Sequence, residues 1–125
     1  MFRSILIISL GGAIGSSLRY LAGVWFARFY QSSFPLATFA VNVVGCFLIG
    51  LFYAFAERYN WFNSEWRLLL ITGFCGGLTT FSAFAYENIK LLQEGNTALF
   101  ILYSFGTYSL ALIAVIAGII FSKMI

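Results

Sequence analysis

Residues Gly73 to Phe84 read GFCGGLTTFSAF, set inside a run that is otherwise aliphatic and aromatic. Gly76 and Gly77 each weaken a helix by about 1 kcal/mol relative to alanine, and Thr79, Thr80 and Ser82 then bring hydroxyls that compete for backbone hydrogen bonds. The stretch predicts a membrane helix broken at GGLTT. A break inside hydrocarbon frees amides and carbonyls that must be buried in protein, line a cavity or hold an ion, since lipid offers them no partner. A glycine pair also suits close packing against a neighbouring helix, and on the glycines alone that alternative stays open. The hydroxyls, with Phe81 and Phe84 beside them, weigh toward a functional site.

Working outward, the composition sets the environment. Of 125 residues 62% are hydrophobic and 9% charged, with a mean hydropathy of +0.95. Soluble domains carry about a quarter charged residues, so this is an integral membrane protein. Charged residues divide the chain into four apolar stretches, approximately 4–26, 35–56, 68–86 and 98–122. Each can cross a hydrocarbon core of roughly 30 Å. The expected fold is therefore all-α, with four transmembrane helices in one domain spanning 1–125. Residues 57–67 and 87–97 are expected as connectors. Trp25, Tyr30, Tyr59, Trp61 and Trp66 fall near the expected ends, at headgroup depth. The N-terminus resembles a signal peptide but has no small-x-small cleavage site, which predicts a retained first span.

Several function classes lose their parts. A net charge of +3 is too small to argue for nucleic acid, and the chain has no histidine. Cys46 and Cys75 both lie within expected spans, where small buried packing residues are the natural reading. No nucleophile, base and orienting group stand together, so enzyme chemistry has no footing. A small multidrug-type proton-coupled exporter has the same size and plan but needs a membrane carboxylate. Here Glu57, Glu65, Glu87 and Glu94 are all expected at span ends or in loops. A non-transporting membrane assembly subunit would explain the glycines, yet leaves the polar residues of the spans without a purpose.

Those polar residues are few and specifically placed. In the first span, Gly11 and Gly15 have small-xxx-small spacing for helix packing, and Arg19 is the one ionisable side chain well inside a span. Arg19 either snorkels to the surface or lends positive potential to an anion path. Asn42, one turn from Thr38 and one from Cys46, either makes an interhelical hydrogen bond or offers amide donors to an anion. In the fourth span Tyr103 and Thr107 share a face, with Ser104 and Tyr108 on the adjacent one, a polar strip suited to an aqueous track or to interhelical bonds. Arg3, Arg58, Arg67 and Lys123 fall on one side against Arg28 and Lys90, with Arg19 nearest to that second side. So weak a bias permits insertion both ways and hence an antiparallel dual-topology homodimer. Four helices enclose a polar pore poorly, which also favours a dimer.

Taken together, GGAIGSSLRY (Gly11 to Tyr20), TFAVNVVGCFLIG (Thr38 to Gly50) and GFCGGLTTFSAF resemble the Fluc or CrcB family of fluoride channels. The resemblance implies a dual-topology homodimer in the inner cell membrane, exporting fluoride passively through two antiparallel pores. It implies a structural sodium ion held by the backbone carbonyls of Gly76 and Thr79 from both subunits. Phe81 and Phe84 would line the pore, with Asn42 as an amide donor beside them. Tyr103 and Thr107 would form a polar track, shortened here because Ala111 stands one turn on where a further hydroxyl belongs. Ser82 would add a hydroxyl, and Arg19 would stand near the aqueous entrance.

Overall fold

Four helical stretches, Phe2–Phe29, Leu36–Arg58, Ser64–Gln93 and Thr97–Met124, are long and apolar enough to cross a membrane. They are seen in a computed structural model that describes all 125 residues. The first, second and fourth stretches are single helices, α1 (Phe2–Phe29), α2 (Leu36–Arg58) and α6 (Thr97–Met124). The third is composite. It comprises one turn, α3 (Ser64–Trp66), a π-helical stretch Arg67–Cys75, a second turn, α4 (Gly76–Leu78), and α5 (Ser82–Gln93). Only 18 residues are buried, so the apolar bulk faces outward, as a lipid solvent allows.

Packing follows the small residues. α1 lies along the π-helical stretch and α4, while α2 lies along α6. A methyl group placed on Gly77 would stand 2.6 Å from the Gly12 carbonyl oxygen and 3.0 Å from the Ser16 amide nitrogen, so the two backbones nearly touch there. Gly118 of α6 is similarly pressed against the Phe47 carbonyl of α2. α2 also reaches α4.

The third stretch departs from a regular helix in two ways. The Gly76 amide reaches back to the carbonyl of Ile71, five residues earlier, which marks the widened π ladder. Gly76 itself keeps helical dihedrals, φ −62° and ψ −35°. The chain leaves the helix at Thr79, extended at φ −83° and ψ 155°, and resumes it at Ser82. Gly73 and Gly77 thus serve the packing against α1, and the non-helical residues are the threonines and Phe81 that follow.

Residues 87–97 do not form the expected loop. α5 continues to Gln93, because Asn88 and Leu91 give it a buried face. It ends in a Schellman motif: Gly95, at φ +76°, donates to the Leu92 carbonyl, and Asn96 donates to that of Leu91. Glu87 and Lys90 are therefore helical residues. At the opposite end of the bundle Asn63 caps α3 by accepting from the Glu65 and Trp66 amides. Arg58 donates to the Ser122 carbonyl at 2.8 Å and Arg67 to that of Ala56 at 3.2 Å. Both arginines thus sit on carbonyls near helix C-termini, where a cation is favoured.

Candidate functional site

The interruption at Thr79 to Phe81 redirects two backbone donors. In an unbroken helix Thr80 N–H would bond the Gly76 carbonyl; instead it donates to Asn42 Oδ1 at 2.8 Å. Asn42 Nδ2 donates in return to the Thr80 carbonyl at 3.0 Å. The buried amide of α2 thus satisfies both polar groups of one residue, as a strand neighbour would. Ala83 N–H, the donor that would have met the Thr79 carbonyl, bonds Thr80 Oγ1 at 3.3 Å. The carbonyls of Gly76 and Thr79 are thereby left without the partners a continuous helix supplies.

These residues border a groove of about 480 Å³ between α2, the interruption and α6. Asn42 and Cys46 contribute from α2, Thr79, Thr80, Phe81 and Phe84 from the third stretch, and Ser104, Thr107 and Tyr108 from α6. Phe81 is largely exposed, and its ring centroid lies 5.8 Å from that of Phe84. The Phe84 ring leans in turn on Tyr103, at 5.0 Å and 60°. Tyr103 is fully buried and Thr107 nearly so, yet neither hydroxyl has a hydrogen-bond partner. Buried hydroxyls normally find partners. Two unpaired donors one turn apart on one face of α6 thus accompany a groove walled by phenylalanines.

The residues from 6 to 119 match the family described as CrcB-like protein, Camphor Resistance (CrcB). The chain belongs to the CrcB family. A relative from Flavobacterium psychrophilum named fluoride-specific ion channel FluC is 45% identical over 97% of this chain and 98% of its own length. Relatives bearing the same name from Rhizobium johnstonii and Leptospira interrogans are 49% and 46% identical, over 95% and 81% of this chain and 94% and 80% of their own lengths.

Within this CrcB chain, five of the residues to which the resemblance gives roles meet at the groove, Asn42, Thr79, Phe81, Phe84 and Thr107, joined by Cys46, Thr80, Ser104 and Tyr108. Tyr103 stands directly behind it against Phe84. Ser82 is exposed and pairs with Thr80 at 3.3 Å, while Arg19 is half-buried on α1 and does not line the groove. Sequence reasoning missed two residues. Glu87, expected at a span end, has one carboxylate oxygen fully buried and unpartnered and the other accepting from Thr38 Oγ1 at 3.0 Å. The Tyr103 hydroxyl stands close to both Glu87 and Thr38 without meeting hydrogen-bond geometry to either. Glu87 also borders a polar cavity of about 580 Å³ with Ser32, Ser33 and Lys90. Glu87 thus belongs to a helix that continues past residue 86, half-buried against the first turn of α2 at that end of the bundle, with one oxygen out of contact with solvent. The second missed residue, Asn88, is buried between α5 and α6; its signal was an amide one turn beyond Phe84.

Proposed function

We propose that this CrcB chain forms a fluoride-selective channel through which fluoride leaves the cytoplasm passively across the inner cell membrane. The working unit is an antiparallel dual-topology homodimer with two pores. The observation that carries this reading is the pair of buried, unpartnered hydroxyls of Tyr103 and Thr107 beside a groove walled by Phe81 and Phe84. The names of the relatives agree with it.

The chemistry runs from the residues to the ion. Fluoride surrenders a strong hydration shell in hydrocarbon, so a path must offer replacement donors in sequence. Thr107 has a hydrogen free to give, Tyr103 holds a hydroxyl that lies close to Glu87 and Thr38 without a bond to either, and Asn42 keeps one Nδ2 hydrogen beyond the one that Thr80 takes. Phenylalanine ring edges carry partial positive charge and attract an anion weakly enough to release it. Arg19 adds positive potential near the entrance, and Ser82 adds a hydroxyl. Because each contact is weak and several lie in series, the ion can pass from one to the next.

The carbonyls of Gly76 and Thr79 suit a structural sodium ion. Freed carbonyl oxygens are hard donors for a hard cation, and a two-fold dimer would bring four of them together. Bound there, sodium would neutralise their partial charge and stiffen the subunit contact.

One observation favours the proton-coupled alternative, the buried oxygen of Glu87. Both readings are separated by efflux from liposomes loaded with fluoride or chloride while external pH is monitored. Rapid fluoride efflux with little chloride efflux and no dependence on a proton gradient supports the channel. Fluoride movement that requires a proton gradient, and is abolished by Glu87→Gln, supports the exporter. No fluoride efflux from demonstrably dimeric protein would overturn the channel, leaving the multidrug-type exporter or an assembly subunit.

A further inference from the structure

Asn88 plays no part in the pathway outlined above, yet it is one of only four buried polar residues. Its two amide atoms are both committed. Nδ2 donates to the Phe84 carbonyl at 3.0 Å, and Oδ1 accepts from Ser104 Oγ of α6 at 2.8 Å. The amide's orientation is fixed chemically: the Phe84 carbonyl can only accept, so Nδ2 must face it and Oδ1 must face Ser104. One side chain thereby ties the helical turn that bears Phe84 to the α6 helix that bears Tyr103 and Thr107.

We infer that Asn88 is a positioning residue that holds the Phe84 ring edge in register with the Tyr103 and Thr107 hydroxyls. Resting on the fluoride-channel reading, the clamp acts in two ways. It fixes the α5 turn to α6, where Phe84 meets Tyr103 at a centroid distance of 5.0 Å. It also occupies the only hydrogen of Ser104, which lines the groove. Ser104 then presents lone pairs to the groove, and an anion finds its donors at Thr107 and Tyr103 instead. Ring and donors would be held about one turn apart along the groove, and a shift of an ångström between them would weaken both contacts. Such alignment matters for selectivity because the smaller halide gains more from short, directed donors than chloride does.

The test uses the full chain reconstituted in liposomes. Asn88→Leu removes both bonds at similar volume, and Ser104→Ala removes only the α6 end. Asn88→Leu is expected to slow fluoride efflux by about fivefold, the factor carried by one net hydrogen bond, and to narrow the fluoride to chloride ratio. Ser104→Ala should move both readouts in the same direction. The double variant should match Asn88→Leu alone, since the two residues act through one bond. A transport-free readout accompanies these: 4-fluorophenylalanine placed at position 84 should give a 19F resonance that shifts or broadens in either variant. An unchanged resonance together with wild-type efflux and selectivity would overturn the clamp. So would losses in the double variant that multiply. Should Asn88→Leu not fold, unchanged behaviour of Ser104→Ala suffices to overturn it. Wild-type protein that conducts no fluoride refutes the channel reading instead, and the resonance still decides whether the clamp exists.

Discussion

Truncating Asn42 should expose what the interruption costs. Asn42 is 8% exposed, and its amide makes bonds of 3.0 and 2.8 Å to the carbonyl and amide of Thr80. Asn42→Ala leaves both backbone groups unmatched, and each buried group so stranded costs about 1–3 kcal/mol. The groove opens beside Thr80, so water or headgroups can partly reach it, and the low end applies. The sum is about 2 kcal/mol. That is a sizeable fraction of a net stability of roughly 5–15 kcal/mol. Asn42→Leu, close in volume but without hydrogen bonds, should lose as much, which separates the lost bonds from the cavity that alanine leaves. The assay is the thermal unfolding midpoint in detergent, followed by size-exclusion chromatography, with fluoride efflux measured on the same preparations. Both variants should unfold earlier and conduct less, because Thr79 to Phe81 lose their anchor on α2. Midpoints equal to wild type in both variants would refute the reasoning, since Thr80 would then have other partners. A lowered midpoint with wild-type efflux would leave Asn42 a purely structural amide.

Other perturbations address other links. Phe81→Ile and Phe84→Ile should each slow fluoride efflux by about tenfold while the dimer still forms, the factor set by about 1.4 kcal/mol of lost barrier stabilisation; wild-type efflux in both would remove the ring-edge argument. Gly77→Val should destabilise the fold by about 1–3 kcal/mol, as overpacking does, because even a methyl group there lies 2.6 Å from the Gly12 carbonyl oxygen. Its unfolding midpoint reads this directly. Arg58→Met removes the donor to the Ser122 carbonyl and should cost about 1 kcal/mol, read the same way, without changing fluoride selectivity. Replacing sodium by choline at constant ionic strength should lower the midpoint of the dimer, since a ion bound only by the native state stabilises it in proportion to the logarithm of its concentration; equal midpoints in both salts would argue against a sodium site.

The four membrane-crossing helices were legible because lipid imposes length and apolarity on each span, signals that need no tertiary context. The expected ends fell short for an equally physical reason. Charges were read as boundaries, yet Glu87 and Lys90 continue α5, the first finding Thr38 as a partner and the second lying beside the open polar cavity. The Gly76 and Gly77 pair drew attention to the right segment through the wrong property. Low helix propensity matters little where a neighbouring backbone fills the space, and Gly77 remains helical against Gly12. What ends α4 is the competition for Thr80, whose amide and carbonyl both prefer the Asn42 side chain thirty-eight residues away. No local reading of GGLTT contains that partner. Asn88 escaped for a similar reason: its meaning lies in Ser104, sixteen residues on and across a helix interface.

The same hydrogen bonds connect the fold to the proposed chemistry. Asn42 takes both polar groups of Thr80, and Thr80 Oγ1 takes the Ala83 amide, so side chains absorb two of the donors that the interruption releases. The Gly76 and Thr79 carbonyls lose those donors and gain none. An interruption satisfied in this lopsided way presents acceptors at the helix break, while Thr107 and Tyr103 hold unspent donors across the groove. This sorting of the Gly76 and Thr79 acceptors from the α6 hydroxyl donors suits the first pair to a cation and the second to an anion. A variant that restores a continuous helix, such as Thr79→Ala combined with Thr80→Ala and Asn42→Leu, should return the amides to the carbonyls of Gly76 and Thr79. If the sorting underlies function, that variant loses the sodium dependence of its stability together with fluoride efflux. Loss of either one without the other would show that the two sites are independent.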